Sequence, residues 1–142
     1  NTIVPGIKLK VAGFGVERGA ISKELGNSFV SEGAVSEEEL NNLYKNAHSV
    51  IIPSKTEGFG YMVIEAHSKG IPVVCRPVPA LMEIVTSEDI IAEDFSVESL
   101  AASINKTVQK GFREAKFQSE QFDINNFSNS LNKVYEKAVE NN

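Results

Sequence analysis

The hydrophobic positions fall into short apolar runs that alternate with longer segments in which apolar residues recur every three or four positions. The recurrence indicates helices, and a short apolar run bounded by turn residues indicates a strand. The predicted strands are 7–14, 29–34, 48–53, 73–75 and 90–91. The predicted helices are 17–25, 37–47, 61–69, 81–85, 97–109 and 124–139. Because the two kinds of element alternate, we expect an α/β fold, a Rossmann-like doubly wound parallel sheet with helices on both faces.

Local signals refine this expectation. Ser36 is followed three residues later by Glu39, a pair typical of a capping box at a helix start. In the last helix Phe127, Leu131 and Tyr135 stand at helical spacing, and we expect them to lie in the core. Right-handed crossovers bring the loops that follow parallel strands to one edge of the sheet. The loops at 13, 33, 57 and 76 are therefore expected to converge.

The stretch 54–75 indicates the chemistry most directly. Gly58-Phe59-Gly60 stands immediately before a predicted helix, and a helix start favours an anion because its N–H groups are free and partly positive. Glu57 lies just before that helix, and Glu65, further along it, is placed to accept hydrogen bonds from sugar hydroxyls. The implied ligand is a phosphate that carries a sugar. The alternative is an ordinary glycine turn followed by a solvated surface glutamate.

Composition narrows the function classes. The chain has 142 residues and a net charge of −5, so it offers no broad basic field for nucleic acid. Its single cysteine, Cys75, lies in a predicted buried strand and is interpreted as a packed thiol in a reducing compartment. No apolar run approaches the roughly 20 residues of a membrane-spanning helix. No Asp-x-Asp motif or cluster of His and Cys ligands occurs, so we expect neither a metal nor a cofactor.

The segment PS..EGFG...IEAHS.G.PVV resembles the donor-binding motif of the retaining GT-B glycosyltransferases of the glycosyltransferase family 4 type. The mark of that motif is a Glu-x7-Glu pair, here Glu57 and Glu65. The resemblance implies that Glu65 binds the ribose of a sugar nucleotide and that Glu57, in the catalytic role, orients the transferred sugar. It implies further that the diphosphate or the donor sugar meets the loop and first helical residue, Gly58, Phe59, Gly60 and Tyr61.

Weaker similarities extend over about residues 8–138. A strand that ends in Gly-x-Gly makes Gly13 and Gly15 secondary candidates for donor contact, although a plain strand-to-helix turn also explains them. The resemblance of the G-x-V-x-x-E-E-L pattern at residues 33–40 implies that the nucleotide base docks on the backbone of Gly33, Ala34 and Val35.

Two departures from the pattern concern single residues. His67 stands where the family more often has Met, and we interpret it as a packed or half-exposed helix residue. The family usually has paired glycines in the loop after Cys75, where this chain has Arg76-Pro77-Val78-Pro79-Ala80. Proline stiffens that loop and removes N–H donors, so the identity of the donor sugar stays open. Arg76 is interpreted as forming a surface salt bridge, with a phosphate as the alternative partner.

The resemblance identifies residues 1–142 as a single C-terminal nucleotide-sugar-binding domain, the C-terminal half of a GT-B fold without its N-terminal acceptor domain. We expect a hexosyltransferase that is inactive as this chain alone. The intact enzyme is expected to use a UDP- or GDP-linked sugar and a glycan or lipid-linked acceptor, with retention at the anomeric carbon. Its expected location is the cytoplasm, or the membrane surface through the absent domain. The alternatives are a GT-B-like sugar-nucleotide epimerase and a non-catalytic doubly wound interaction module.

Overall fold

A computed structural model describes residues 7–13, 18–111, 114–117 and 119–140. Strands and helices alternate along the chain, as predicted. The strands are β1 (Leu9–Ala12), β2 (Phe29–Gly33), β3 (Val50–Ile52), β4 (Val73–Cys75) and β5 (Ile90–Ile91). The helices are α1 (Arg18–Leu25), α2 (Glu37–Lys45), α3 (Tyr61–Ser68), α4 (Pro79–Met82), α5 (Val97–Lys110) and α6 (Ile124–Glu140).

All strand pairs are parallel, but their hydrogen-bonded ladders form two groups. β1 pairs with β2, and β3 pairs with β4, which pairs with β5. Consecutive strands within each group are joined by a helix, the arrangement of βαβ units. The α/β architecture predicted from the sequence is confirmed, while among the described residues the strands do not form one continuous ladder.

The main core lies between β3, β4 and the helices α3 and α4. Ile52, Val63, Val73 and Leu81 are almost completely removed from solvent there. β4 is buried on both faces, which explains its uninterrupted apolar sequence Val73–Cys75. This core fixes the two strand ends and the start of α3, the elements that carry the central motif.

Local signals locate several helix ends correctly. The Ser36 hydroxyl accepts from the N–H of Glu39, and the Glu39 carboxylate accepts from the N–H of Ser36, which completes the capping box. The helix predicted at 81–85 is wrong in its start, because α4 begins at Pro79. Proline suits this first position since it lacks the N–H that a helix start leaves unpaired.

The last helix differs from the prediction in its packing. Phe127 and Tyr135 are 60% and 62% exposed, and Leu131 is also exposed, so the expectation that they lie in the core is wrong. None of the residues of α6 is buried among the described residues. Their helical spacing was interpreted correctly, but among the described residues this apolar face is left exposed.

Candidate functional site

The central motif forms a loop and an open helix start. The loop, residues 53–60, connects the end of β3 to α3. Gly60 is the N-cap of α3, and no side chain caps this end. Within the described residues, the N–H groups of Tyr61 and Met62 have no acceptor, and the first turn contains no acidic residue. The start of α3 therefore offers free donors and a positive dipole end to an anion.

The two glycines of the loop have different surroundings. Gly60 has φ of 96°, and a Cβ there would lie 2.5 Å from Cδ2 of Leu81 and 2.9 Å from Cδ1 of Ile84. Only glycine fits this close approach of α3 to α4. A Cβ on Gly58 would meet no atom within 4 Å. Packing therefore explains Gly60, whereas the space beside Gly58 is open to a ligand.

Glu65 on α3 is held by a tyrosine from α2. The Tyr44 hydroxyl donates to Oε2 of Glu65 across 3.0 Å. Tyr44 is only 7% exposed, and its burial, together with the neighbouring Glu65 carboxylate, raises the pKa of Tyr44 to about 12. The phenol thus stays a donor, and Glu65, itself exposed, keeps its other oxygen for a further hydrogen bond.

In the sequence Tyr44 stands at helical spacing with Leu40 and Ala47, a pattern that indicates an apolar helix face and gives no sign of this role. The available signal was its hydroxyl, because a tyrosine that is buried usually has a hydrogen-bond partner. Glu65 lies four residues after Tyr61, about 6 Å along the helix axis at the usual rise. That separation allows one ligand to meet the helix start with an anionic group and Glu65 with a hydroxyl.

Three other predicted site residues lie in or next to this loop, and each is at least partly exposed to solvent. Glu57 is half-buried and has neither an ion pair nor a hydrogen bond among the described residues. Phe59 and Tyr61 are exposed, with ring centroids 5.0 Å apart. Phe59 is also in edge contact with Phe122, which packs against the core, so the exposed aromatic side of the loop is anchored from the C-terminal segment.

Arg76 differs from its predicted role. The interpretation as a surface salt bridge is wrong, because Arg76 is 8% exposed and Nη1 donates to the carbonyl of Pro53. Its buried Nε has no acceptor within the described residues. Arg76 follows β4 and Pro53 follows β3, so the guanidinium connects two neighbouring strand ends below the loop.

The predicted glycines of the first two strands come together in a separate group. The N–H of Gly13 donates to the carbonyl of Gly33 across 2.6 Å, and their φ angles of 114° and 70° lie in the region that favours glycine. Next to Gly33, Ala34 is exposed and Val35 is half-buried. Gly15 lies outside the described residues. The structure thus joins two of the four predicted loops at the ends of β1 and β2 and the other two at the ends of β3 and β4.

Two titratable residues of the motif are structural. His67 is buried, and its Nε2 lies 3.0 Å from Oδ2 of Asp89. The Asp89 carboxylate also accepts from the N–H groups of Val73 and Thr86, so it joins the end of α3 to the start of β4. Cys75 is fully buried, and burial raises the pKa of its thiol to about 11, which confirms a packed thiol.

The described part of the chain contains neither a metal-binding cluster nor a membrane-spanning helix. No group of three or more His, Cys, Asp or Glu side chains there is arranged to hold a metal ion. No helix in the same residues combines the length and the apolar character that crossing a membrane requires.

Comparison with known proteins finds relatives that are named as glycosyltransferases. O-antigen chain mannosyltransferase B of Escherichia coli is 39% identical over 77 residues, which are 54% of this chain and 20% of that protein. The uncharacterized glycosyltransferase MJ1607 of Methanocaldococcus jannaschii is 33% identical over an alignment of 147 residues, covering 94% of this chain and 38% of that protein. The chain thus spans between a fifth and two fifths of these relatives.

Solved structures agree on the fold. The apo form of the lipopolysaccharide outer core galactosyltransferase WaaB superposes with a TM-score of 0.70 at 19% identity, over 92% of this chain and 41% of that one. The glycosyltransferase WaaG superposes with a TM-score of 0.55 at 24% identity, over 72% of this chain and 29% of that one. Residues 2–123 match the family described as Glycosyl transferases group 1. The chain therefore belongs to the glycosyl transferases group 1 family.

Proposed function

We propose that this chain is the donor-binding domain of a glycosyltransferase that transfers a hexose from a nucleotide sugar to a glycan or lipid-linked acceptor with retention. The observation that carries the proposal is the pairing of an uncapped helix start with a carboxylate one turn further along. Free N–H groups at Tyr61 and Met62 suit a diphosphate, and Glu65, oriented by Tyr44, suits the ribose hydroxyls of the same ligand.

The proposed roles follow the development of charge during transfer. The bond between the anomeric carbon and the diphosphate oxygen breaks, a bond from that carbon to the oxygen of an acceptor hydroxyl forms, and the proton of that hydroxyl passes to the leaving diphosphate. Negative charge grows on the leaving diphosphate, where the start of α3 stabilises it electrostatically. Glu57, a carboxylate without a protein partner in the described residues, orients the hydroxyls of the transferred sugar.

The proposals for the nucleotide base and for the donor sugar have separate grounds. Gly13 and Gly33, joined by their backbone hydrogen bond, form the edge on which a UDP or GDP base is proposed to rest, beside Ala34 and Val35. Several relatives are named as mannosyltransferases, including O-antigen chain mannosyltransferase B and RfbU. A mannosyl nucleotide is therefore the first donor to test.

A second domain is proposed to supply the acceptor site. The chain covers only 38% of MJ1607 and 41% of WaaB. The apolar residues of α6 are exposed, as expected of a helix whose packing partner is a further domain. We accordingly propose that catalysis requires the longer protein, which acts in the cytoplasm or at the membrane surface.

Calorimetric titration of the intact protein tests this function. UDP, GDP and ADP are compared in the wild type, in Glu65→Ala and in Glu136→Ala, a control that removes an exposed glutamate from α6. We expect one nucleotide to bind, with lower affinity only in Glu65→Ala. Failure of the intact protein to bind any of these or a nucleotide sugar would leave the interaction module as the better interpretation. A C2-epimerised sugar as product would favour the epimerase.

A further inference from the structure

The guanidinium of Arg76 is buried, and no carboxylate of the described residues pairs with it. Arg76 is 8% exposed, and neither ion pair found among residues 7–13, 18–111, 114–117 and 119–140 includes it. Its Nη1 donates to a neutral carbonyl, that of Pro53, and its buried Nε has no acceptor there. A charge removed from water carries a large desolvation cost, so buried charges are normally paired.

The unpaired guanidinium and the open start of α3 are at opposite ends of the same loop, residues 53–60. Pro53 begins the loop 53–60, and Gly60 at the other end of that loop is the uncapped N-cap of α3. The guanidinium therefore lies at the base of the loop whose far end presents the free N–H groups of Tyr61 and Met62. One end of this loop thus contacts a guanidinium from the segment after β4, and its other end leads into the positive end of the α3 dipole.

We propose that Arg76 is a phosphate-binding residue of this site. Its guanidinium pairs with an oxyanion of the nucleotide diphosphate while the first turn of α3 receives other oxygens of the same group. Arginine suits this role because its planar fork of N–H donors matches two phosphate oxygens. The inference rests on the proposed function and adds the basic residue that neutralises the diphosphate.

If the charge of Arg76 serves a ligand, its removal should not lower the stability of the ligand-free protein. Arg76→Met replaces the cation by an unbranched apolar side chain, and exchanging a buried charge for an apolar group often leaves stability unchanged or raises it. Pro53 as a residue is exposed, so we expect water to replace the lost donor to its carbonyl. Without anions we therefore expect the Tm of Arg76→Met to equal or exceed that of the wild type. A guanidinium that only supported the loop would lower the Tm when removed.

The experiment compares Arg76→Met, Arg76→Lys and Lys106→Met in the intact protein. Lys106 is exposed and, among the described residues, its ammonium pairs with Glu93 at 3.6 Å, so its replacement matches the loss of one positive charge. Each variant is titrated with inorganic pyrophosphate, with the tightest-binding of UDP, GDP and ADP, and with the corresponding nucleoside. We expect Arg76→Met to weaken pyrophosphate and diphosphate binding by about tenfold or more and to leave nucleoside binding unchanged. Arg76→Lys should be intermediate, and Lys106→Met should match the wild type.

The outcomes separate this inference from the proposed function. If the wild type binds a nucleotide and Arg76→Met binds it equally well, Arg76 has no ligand role. Failure of Arg76→Met to fold, or equal loss of nucleoside and diphosphate binding with a lower Tm, makes Arg76 structural. In each of these cases the inference is wrong and the proposed function stands. If pyrophosphate stabilises the wild type through Arg76 but no nucleotide binds, the anion site stands and the proposed function fails. Binding of neither overturns both.

Discussion

The hydroxyl of Tyr44 on α2 donates to Oε2 of Glu65 on α3 across 3.0 Å. The two residues are 21 positions apart in sequence, so the bond joins two separate helices. It also orients a carboxylate that is otherwise exposed. A glutamate side chain has several rotatable bonds, so an oriented carboxylate loses less conformational freedom when a ligand binds. The relationship makes Tyr44 a positioning residue for the proposed ribose contact.

Replacing Tyr44 by Phe should weaken nucleotide binding through Glu65. The hydroxyl alone is lost, so Glu65 must be ordered when the ligand binds, and ordering one such side chain corresponds to a roughly three- to tenfold increase in Kd. Calorimetry in the wild type, Tyr44→Phe, Glu65→Ala and the double variant measures the coupling. Tyr135→Phe, which removes a hydroxyl from an exposed residue of α6, is the matched control. Fully additive effects of Tyr44→Phe and Glu65→Ala would show that Tyr44 does not act through Glu65.

Alanine substitutions at the two glycines of the loop should have different effects, one on stability and the other on donor binding. Gly60→Ala places a Cβ 2.5 Å from Leu81 at a φ of 96°, so we expect the free energy of unfolding to fall by about 2–4 kcal/mol. Gly58→Ala meets no atom within 4 Å, and we expect a change in stability below about 0.5 kcal/mol together with weaker donor binding. Urea denaturation and calorimetry of both variants check this. Equal stabilities of the two variants would contradict the packing argument.

Local patterns in the sequence were sufficient to predict most helices and strands, but not the contacts between them. The capping box was predictable because Ser36 and Glu39 interact within one helical turn. The bond between Tyr44 and Glu65 and the burial of Arg76 depend on how separate elements pack, which residue spacing does not encode. The helical spacing of α6 was also visible, yet spacing cannot distinguish a face buried in the same domain from one that is left exposed.

The exposure of α6 predicts an unusual tolerance to substitution in the 142-residue chain. Phe127→Ala removes a side chain that is largely in solvent, so we expect the free energy of unfolding to change by less than about 0.5 kcal/mol. Leu100→Ala on α5, where the leucine is buried against Val74 and Ile90, is the control and should cost about 2–5 kcal/mol. Urea denaturation measures both. A loss of several kcal/mol in Phe127→Ala would show that α6 packs within this chain.

The buried pair of His67 and Asp89 predicts a pH dependence of stability. Burial alone raises the pKa of Asp89, but the hydrogen bonds from His67 and from the N–H groups of Thr86 and Val73 outweigh burial and lower it. A carboxyl whose pKa is lower in the folded than in the unfolded state binds protons preferentially when unfolded. Its stabilisation is therefore present above the unfolded value of about 3.9 and is lost as the pH falls through the folded value.

Asp89→Asn should remove this dependence together with the charge. At pH 7 we expect a loss of about 3 kcal/mol, because one partner of a buried pair is neutralised and an acceptor for Thr86 is replaced by a donor. Urea denaturation between pH 7 and pH 2 should show the wild type approaching the stability of Asp89→Asn as the solution becomes acidic. Glu93→Gln, which neutralises an exposed carboxylate, should follow the wild-type curve. Parallel curves for the wild type and Asp89→Asn would contradict the assignment, because they would require a carboxyl whose protonation does not differ between the folded and unfolded states.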